Sequence, residues 1–183
     1  MTKKRKCKYC RQPFEPIAFL QKNCFDPECV TQWIQETKQK EWTKKKAKLK
    51  ADLMTVQDYI KIAQQVFNKY IRLRDQGQNC ISCNKPIKAG NCDAGHLWSA
   101  GGHANIRFNE FNVNGQCSRP CNKDLSGDVN NYRIGFIEKY GSDKLAEIDL
   151  IAKISRKYSV DELKEIISVY KAKVKNIENN LKI

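Results

Sequence analysis

Two cysteine pairs bracket the stretch of this chain richest in groups that bind metal or move protons. Cys80-Ile-Ser-Cys83 opens it and Cys117-Ser-Arg-Pro-Cys121 closes it. Between and just beyond them lie Asp93, His96, Asn112, Asn114, Asn122 and Asp128. Four thiolates fill the tetrahedral shell of zinc and leave no open position. Cys80, Cys83, Cys117 and Cys121 therefore read as a structural zinc site. Cys7, Cys10, Cys24 and Cys29 form a second such set, opened by the same C-x2-C step. Cys92 is left over and reads as a packed thiol, since no activating arrangement accompanies it.

The groups between the cysteines suit phosphodiester hydrolysis. That reaction needs a base for water, an offset for phosphate charge and support for the leaving oxygen. A histidine titrating near neutrality can be the base, and His96 is the candidate. A magnesium or manganese ion can do the other two tasks, and it takes hard oxygen ligands. Asp93, Asn122 and Asp128 offer such oxygens. Asn112 and Asn114 could orient the base or hold the backbone turn. His103 reads as a loop residue that could assist the metal, and Asn105 and Asn109 read as turn residues. Joining the cysteine pairs through zinc would bring Asp93 and His96 back beside Asn122. Pro120 and Asn122 stand where a helix could begin and point amide dipoles at an anion.

The rest of the chain must position these groups and hold a substrate. A formal charge of +14 over 183 residues points to a polyanionic partner, nucleic acid being the commonest. No apolar run approaches a membrane span, and the N-terminus lacks a signal-peptide core, so the expected location is the cytoplasm. In a reducing compartment the cysteines favour metal over disulfides. Lys3, Lys4, Arg5 and Lys6 lie beside the first knuckle, a unit of residues 1–29 that would rely on zinc for its folding energy. Residues 30–78 read as a helical arm. In its first part Lys44, Lys45, Lys46 and Lys48 point around the whole helix, so it buries no stripe and suits phosphate contact. Trp33 and Trp42 point in roughly opposite directions and form no stacking ladder.

Thr55 with Asp58 then starts an amphipathic helix that should end near Gln76-Gly77. Residues 79–135 form the candidate core. Residues 136–183 hold C-terminal helices, after a helix from Val129 to Tyr140 stopped by Gly141. Ser142 can cap the first of them, and Ser159 with Glu162 forms a capping box for the second. The fold class expected is α-rich α+β, with the C-terminal helices packed on the long helix before Cys80.

At the central residues a resemblance appears. C-x2-C, a D/H pair, then N-x-N-x-x-C-x3-C-N resembles the HNH (ββα-metal) endonucleases that carry a four-cysteine zinc. Asp93-Ala-Gly-His96, Arg107-Phe-Asn-Glu110, Gln116-Cys117 and Cys121-Asn122 through Asp128 resemble, more narrowly, the NinG/Rap family of phage recombination proteins. That resemblance spans most of the chain. It implies a zinc-stapled ββα-metal core and a Mg²⁺- or Mn²⁺-dependent endonuclease cutting branched DNA, Holliday junctions and D-loops in the host cytoplasm. In it His96 takes the place of the general base, Asn112 that of the middle asparagine, and Asn122 that of the final histidine as metal ligand. Arg107 joins the lysines as a nucleic-acid contact. The implied partners are junction DNA, a second copy of the chain, and phage or host recombination proteins. Two departures stand out: Ala94 and Gly95 separate the acid from the base, and the second cysteine pair is C-x3-C. A zinc-finger DNA-binding protein without catalysis and a recombination adaptor are the competing readings.

Overall fold

The computed structural model describes residues 4–88 and 90–181, so Lys3 lies outside the described residues. The chain divides into two compact units, Met1–Met54 and Thr55–Ile183. The boundary falls between the two helices of the arm read from the sequence.

The first unit holds a short antiparallel pair, β1 (Arg5–Lys6) and β2 (Pro13–Phe14), and one long helix, α1 (Pro27–Asp52). Asp26 caps α1 by accepting from the amides of Glu28 and Cys29, and Pro27 needs no amide partner at the first helical position. Cys29 is the one residue of α1 that is fully buried. A helix with lysines on every side has no stripe to bury, and α1 stays largely solvated within its unit.

The second unit is built on α2 (Val56–Arg74), whose N-terminus carries a complete capping box between Thr55 and Asp58. An antiparallel hairpin follows, β3 (Cys92–His96) with β4 (Val113–Cys117). Three helices complete it: α3 (Val129–Tyr140), α4 (Ser142–Ala152) and α5 (Val160–Asn180). The core of α2 and α5 joins Ala63, Phe67 and Ile71 to Leu163, Tyr170 and Val174, with Val113 of the hairpin packed in. Phe67 meets Phe108 and Tyr170 edge-on, the arrangement that aromatic quadrupoles favour. A second core joins Tyr132 and Phe136 of α3 to Leu145 and Ile148 of α4, with Ile106 from the loop between the strands.

Two local expectations change. No α-helix begins at Pro120-Asn122: residues 118–122 form a tight turn broken at Arg119, whose backbone is extended (φ −134°, ψ 137°). Ser142 is the first residue of α4 rather than its cap. Gly141 occupies the cap position at φ 86° and makes no side-chain bond.

Candidate metal and catalytic site

Both cysteine sets converge. Within each, the four Sγ atoms lie within 4.8 Å of one another. Cys10 and Cys24 are 3.8 Å apart, about the edge of a tetrahedron with Zn–S bonds near 2.3 Å. Backbone amides support a thiolate at one cysteine of each set: Cys24 N–H points at Cys7 Sγ and Cys117 N–H at Cys80 Sγ, at 3.4 and 3.3 Å. Against the effect of burial, such amides draw the Cys7 thiol down to about 6 and move Cys80 the same way. Either set could hold zinc. Zinc in the second would join the loop after α2 to the turn after β4 and so fix the open end of the hairpin. Cys92 belongs to neither set. It pairs across the hairpin with Cys117, and burial pushes its thiol up.

The hairpin register decides what meets what. Asp93 stands opposite Gln116, Gly95 opposite Asn114, and His96 opposite Val113. Side chains alternate along a strand, so Asp93 and Gly95 share one face while Ala94 and His96 share the other. On the first face, Asn122 Nδ2 donates to Asp93 Oδ2 at 2.8 Å, and Lys123 Nζ lies 3.9 Å from the same oxygen. The turn of residues 118–122, anchored by Cys117 and Cys121, delivers Asn122 there. A carboxylate beside an amide that can present its own oxygen fits a magnesium or manganese ion, which keeps several waters.

On the opposite face Ala94 packs on the α2–α5 core, and His96 Nε2 lies 3.5 Å from Gln64 Nε2 of α2. His96 Nδ1 lies 3.2 Å from the Ala94 carbonyl. A carbonyl only accepts, so Nδ1 carries the proton and Nε2 keeps a lone pair. Burial holds the imidazole below its ordinary value, although backbone hydrogen bonds at Ala94 and Arg107 oppose it. That direction favours the neutral imidazole at physiological pH. Along the strand it stands roughly 10 Å from Asp93, at about 3.3 Å per residue. The structure therefore brings Asp93 to Asn122 but does not bring His96 to either. Among the described residues, the clusters of three or more His, Cys, Asp or Glu side chains able to hold a metal are the two cysteine sets.

The other candidates have structural partners. Asn112 is fully buried. Its Oδ1 accepts from Trp98 N and its Nδ2 donates to the Trp98 and Ile106 carbonyls. It holds the loop between the strands and does not touch the imidazole. Asn114, also buried, donates to Tyr132 Oη and accepts from Tyr140 Oη at 2.7 Å. Asp128 precedes α3 with a left-handed backbone, and its Oδ1 accepts from Asn131. His103 Nδ1 meets the Ala152 carbonyl at 3.0 Å, and its ring packs on Trp98, pinning the loop to α4. Asn109 Oδ1 accepts from the amides of Phe111 and Asn112, as a turn residue does.

Lys6, Lys44, Lys45, Lys46 and Lys48 are exposed within the first unit. There Lys4 lies 3.8 Å from Glu15, and Arg5 donates to the Phe19 carbonyl. Arg107 buries its Nε without a partner.

Several residues that matter here carry no local sequence signal. Asp75 is 2% exposed and accepts from Arg74 and from the Gly115 amide. Gln116 Nε2 donates to Ser82 Oγ and the Gly127 carbonyl, both at 2.6 Å, which leaves a buried Oε1 with no donor. That oxygen lies over Gly95, where any side chain would meet it at 2.3 Å.

A family model described as NinG: Bacteriophage Lambda NinG protein matches residues 1–180. The chain is 32% identical to Protein ninG of Escherichia phage lambda, over 97% of this chain and 95% of the relative. Identity to Protein ninG of Salmonella phage P22 is also 32%, with the same coverage. No solved structure matches. On the extent of these matches, the chain belongs to the NinG family of lambda-like phages.

Proposed function

We propose that this protein is a metal-dependent endonuclease that cuts branched DNA during phage recombination. The observation that carries the reading is the cysteine-fixed hairpin. It seats the Asp93–Asn122 pair on one face and holds a neutral His96, with Nε2 unprotonated, on the other. Asp93 and the turned-over Asn122 amide would hold the divalent ion. Bound there, the ion would offset phosphate charge and support the leaving oxygen. Lys123 would give way to it. His96 would accept the proton of the attacking water at Nε2, with its tautomer fixed by Ala94. Asn112 would keep the loop after His96 from shifting. The basic first unit would grip the backbone, and phosphate contacts select shape rather than sequence. Paired cuts across a four-way junction call for two copies of the chain.

A second reading, a zinc-fixed DNA-binding protein without catalysis, is favoured by the separation of Asp93 from His96. One experiment separates the two. A synthetic four-way junction and a linear duplex of matched sequence are incubated with Mg²⁺ or Mn²⁺, using the wild type and His96→Ala at equal zinc content. The nuclease reading expects junction cutting that needs the ion and falls roughly 10²- to 10⁴-fold in the variant. Tight junction binding with no cutting under either metal would overturn it in favour of the binding module. Equal cutting of both substrates would keep the nuclease and remove the preference for branches.

A further inference from the structure

The first unit carries a surface that this chemistry does not use. A groove of about 720 Å³ lies between the loop joining Cys10 to Cys24 and the early turns of α1. Its apolar walls are Ile17, Leu20, Phe25 and Trp33, and its rim carries Lys8, Lys22 and Lys40. Leu20 is 77% exposed and Phe25 62% exposed. Large apolar side chains gathered in the open mark a binding surface. Zinc at Cys7, Cys10, Cys24 and Cys29 would fix both walls, because the cysteines lie on the loop and at the start of α1.

Charge narrows the occupant. Residues 4–54 contain thirteen Lys and Arg against six Asp and Glu. On the rim, Glu36 alone is acidic, and it is shared by Lys8 and Lys40. The ligand must combine anionic groups with flat apolar ones. Single-stranded nucleic acid does so: its phosphates follow cationic rims and its bases stack on aromatic rings. In a duplex those faces are hidden. We infer that this groove stacks unpaired bases of a DNA branch, with Phe25 and Trp33 as the platforms and the rim lysines on the adjoining phosphates. The inference rests on DNA being the partner, but not on cleavage.

The test uses the full chain with no added magnesium. Its probes are a short oligothymidylate and an abasic strand of equal length and charge. The wild type should bind the base-bearing strand roughly tenfold or more tightly than the abasic one. Phe25→Ala and Trp33→Ala should remove that preference at unchanged zinc content, and Trp33→Phe should retain most of it. Equal affinity of the wild type for both strands would overturn the inference and leave a purely electrostatic surface. So would a preference that survives both alanine variants. Concentration-dependent self-association abolished by those variants, with no preference for bases, would instead assign the groove to a second copy. Junction cutting without base preference would refute only the groove. Base preference without cutting would refute only the nuclease.

Discussion

Asp75→Ala should weaken the second unit more than any change at the surface. Asp75 closes α2, and its carboxylate accepts from Arg74 Nε and Nη2 and from the Gly115 amide, each at 2.7 Å. Lys139 of α3 lies 3.9 Å away. One carboxylate thus ties α2, β4 and α3 together from an almost fully buried position. Alanine would leave a mostly buried guanidinium without its counter-ion, although the Glu110 and Val113 carbonyls still accept from it, and the Gly115 amide without its acceptor. Breaking a buried pair costs about 3–5 kcal/mol. Against about 5–15 kcal/mol for a whole domain, that is roughly a fifth of the stability or more. The melting temperature should fall by roughly 10–20 °C for a unit of this size. Urea titration and thermal melts at matched zinc loading would measure it. Replacing the pair together, Arg74→Met with Asp75→Leu, should recover part of the loss, because the guanidinium is then no longer stranded, although Lys139 keeps its charge. A shift under about 3 °C for Asp75→Ala would refute the claim that this carboxylate is the joint of the unit.

Other expectations follow from single contacts. Native mass spectrometry should find two zinc ions per chain, and Cys80→Ser with Cys117→Ser should leave one, since the two cysteine sets share no ligand. Chelation should then loosen the hairpin, read as faster amide exchange at Asp93 to His96. Gly135→Ala should cost at least about 2 kcal/mol in urea unfolding, because its Cβ would lie 1.9 Å from the Ile81 carbonyl oxygen, a backbone atom that cannot swing away. Glu110 supplies the pH dependence. Burial alone would raise its carboxyl, but hydrogen bonds from Lys173 and Tyr70 hold it below its usual range. A depressed folded value means stability that is present above the unfolded value of about 4.3 and lost as pH falls through the folded one. Its carboxyl carbon should titrate below that value by NMR, and Lys173→Met should raise it. A Glu110 titrating at or above 4.3 in the wild type would contradict the link between α2 and α5.

The helical frame was legible in the chain because its signals are local. Thr55 with Asp58 and Ser159 with Glu162 each make both bonds of the capping box, and Gly141 ends α3 with a positive φ. The cysteine spacings likewise revealed both ligand sets, since chelation ties spacing to coordination. Legibility fails where a bond spans distance. Asp75 meets Gly115 forty residues on, and no periodicity in α2 marks that carboxylate as buried. Pro120 suggested a helix start, but Arg119 before it is extended and the segment closes as a tight turn instead. Tertiary closure overrode local preference there.

The division of the hairpin into two faces is the least legible feature and the most consequential. Reading Asp93 and His96 as a pair assumed that closeness in sequence means convergence. In a strand, a spacing of three residues places side chains on opposite faces, whereas spacings of two or four would align them. Gly95 is the residue on Asp93's face nearest His96, and it is the position where a side chain cannot fit, because Gln116 Oε1 fills the space. The acid therefore sits one step further along that face, where the turn after Cys117 can reach it with Asn122. Any reaction that uses both His96 and the Asp93–Asn122 pair must bring its substrate to the edge of β3, where groups on both faces can approach one phosphate. If the partner is nucleic acid, as proposed, a bent or branched strand would meet that demand more readily than a straight duplex.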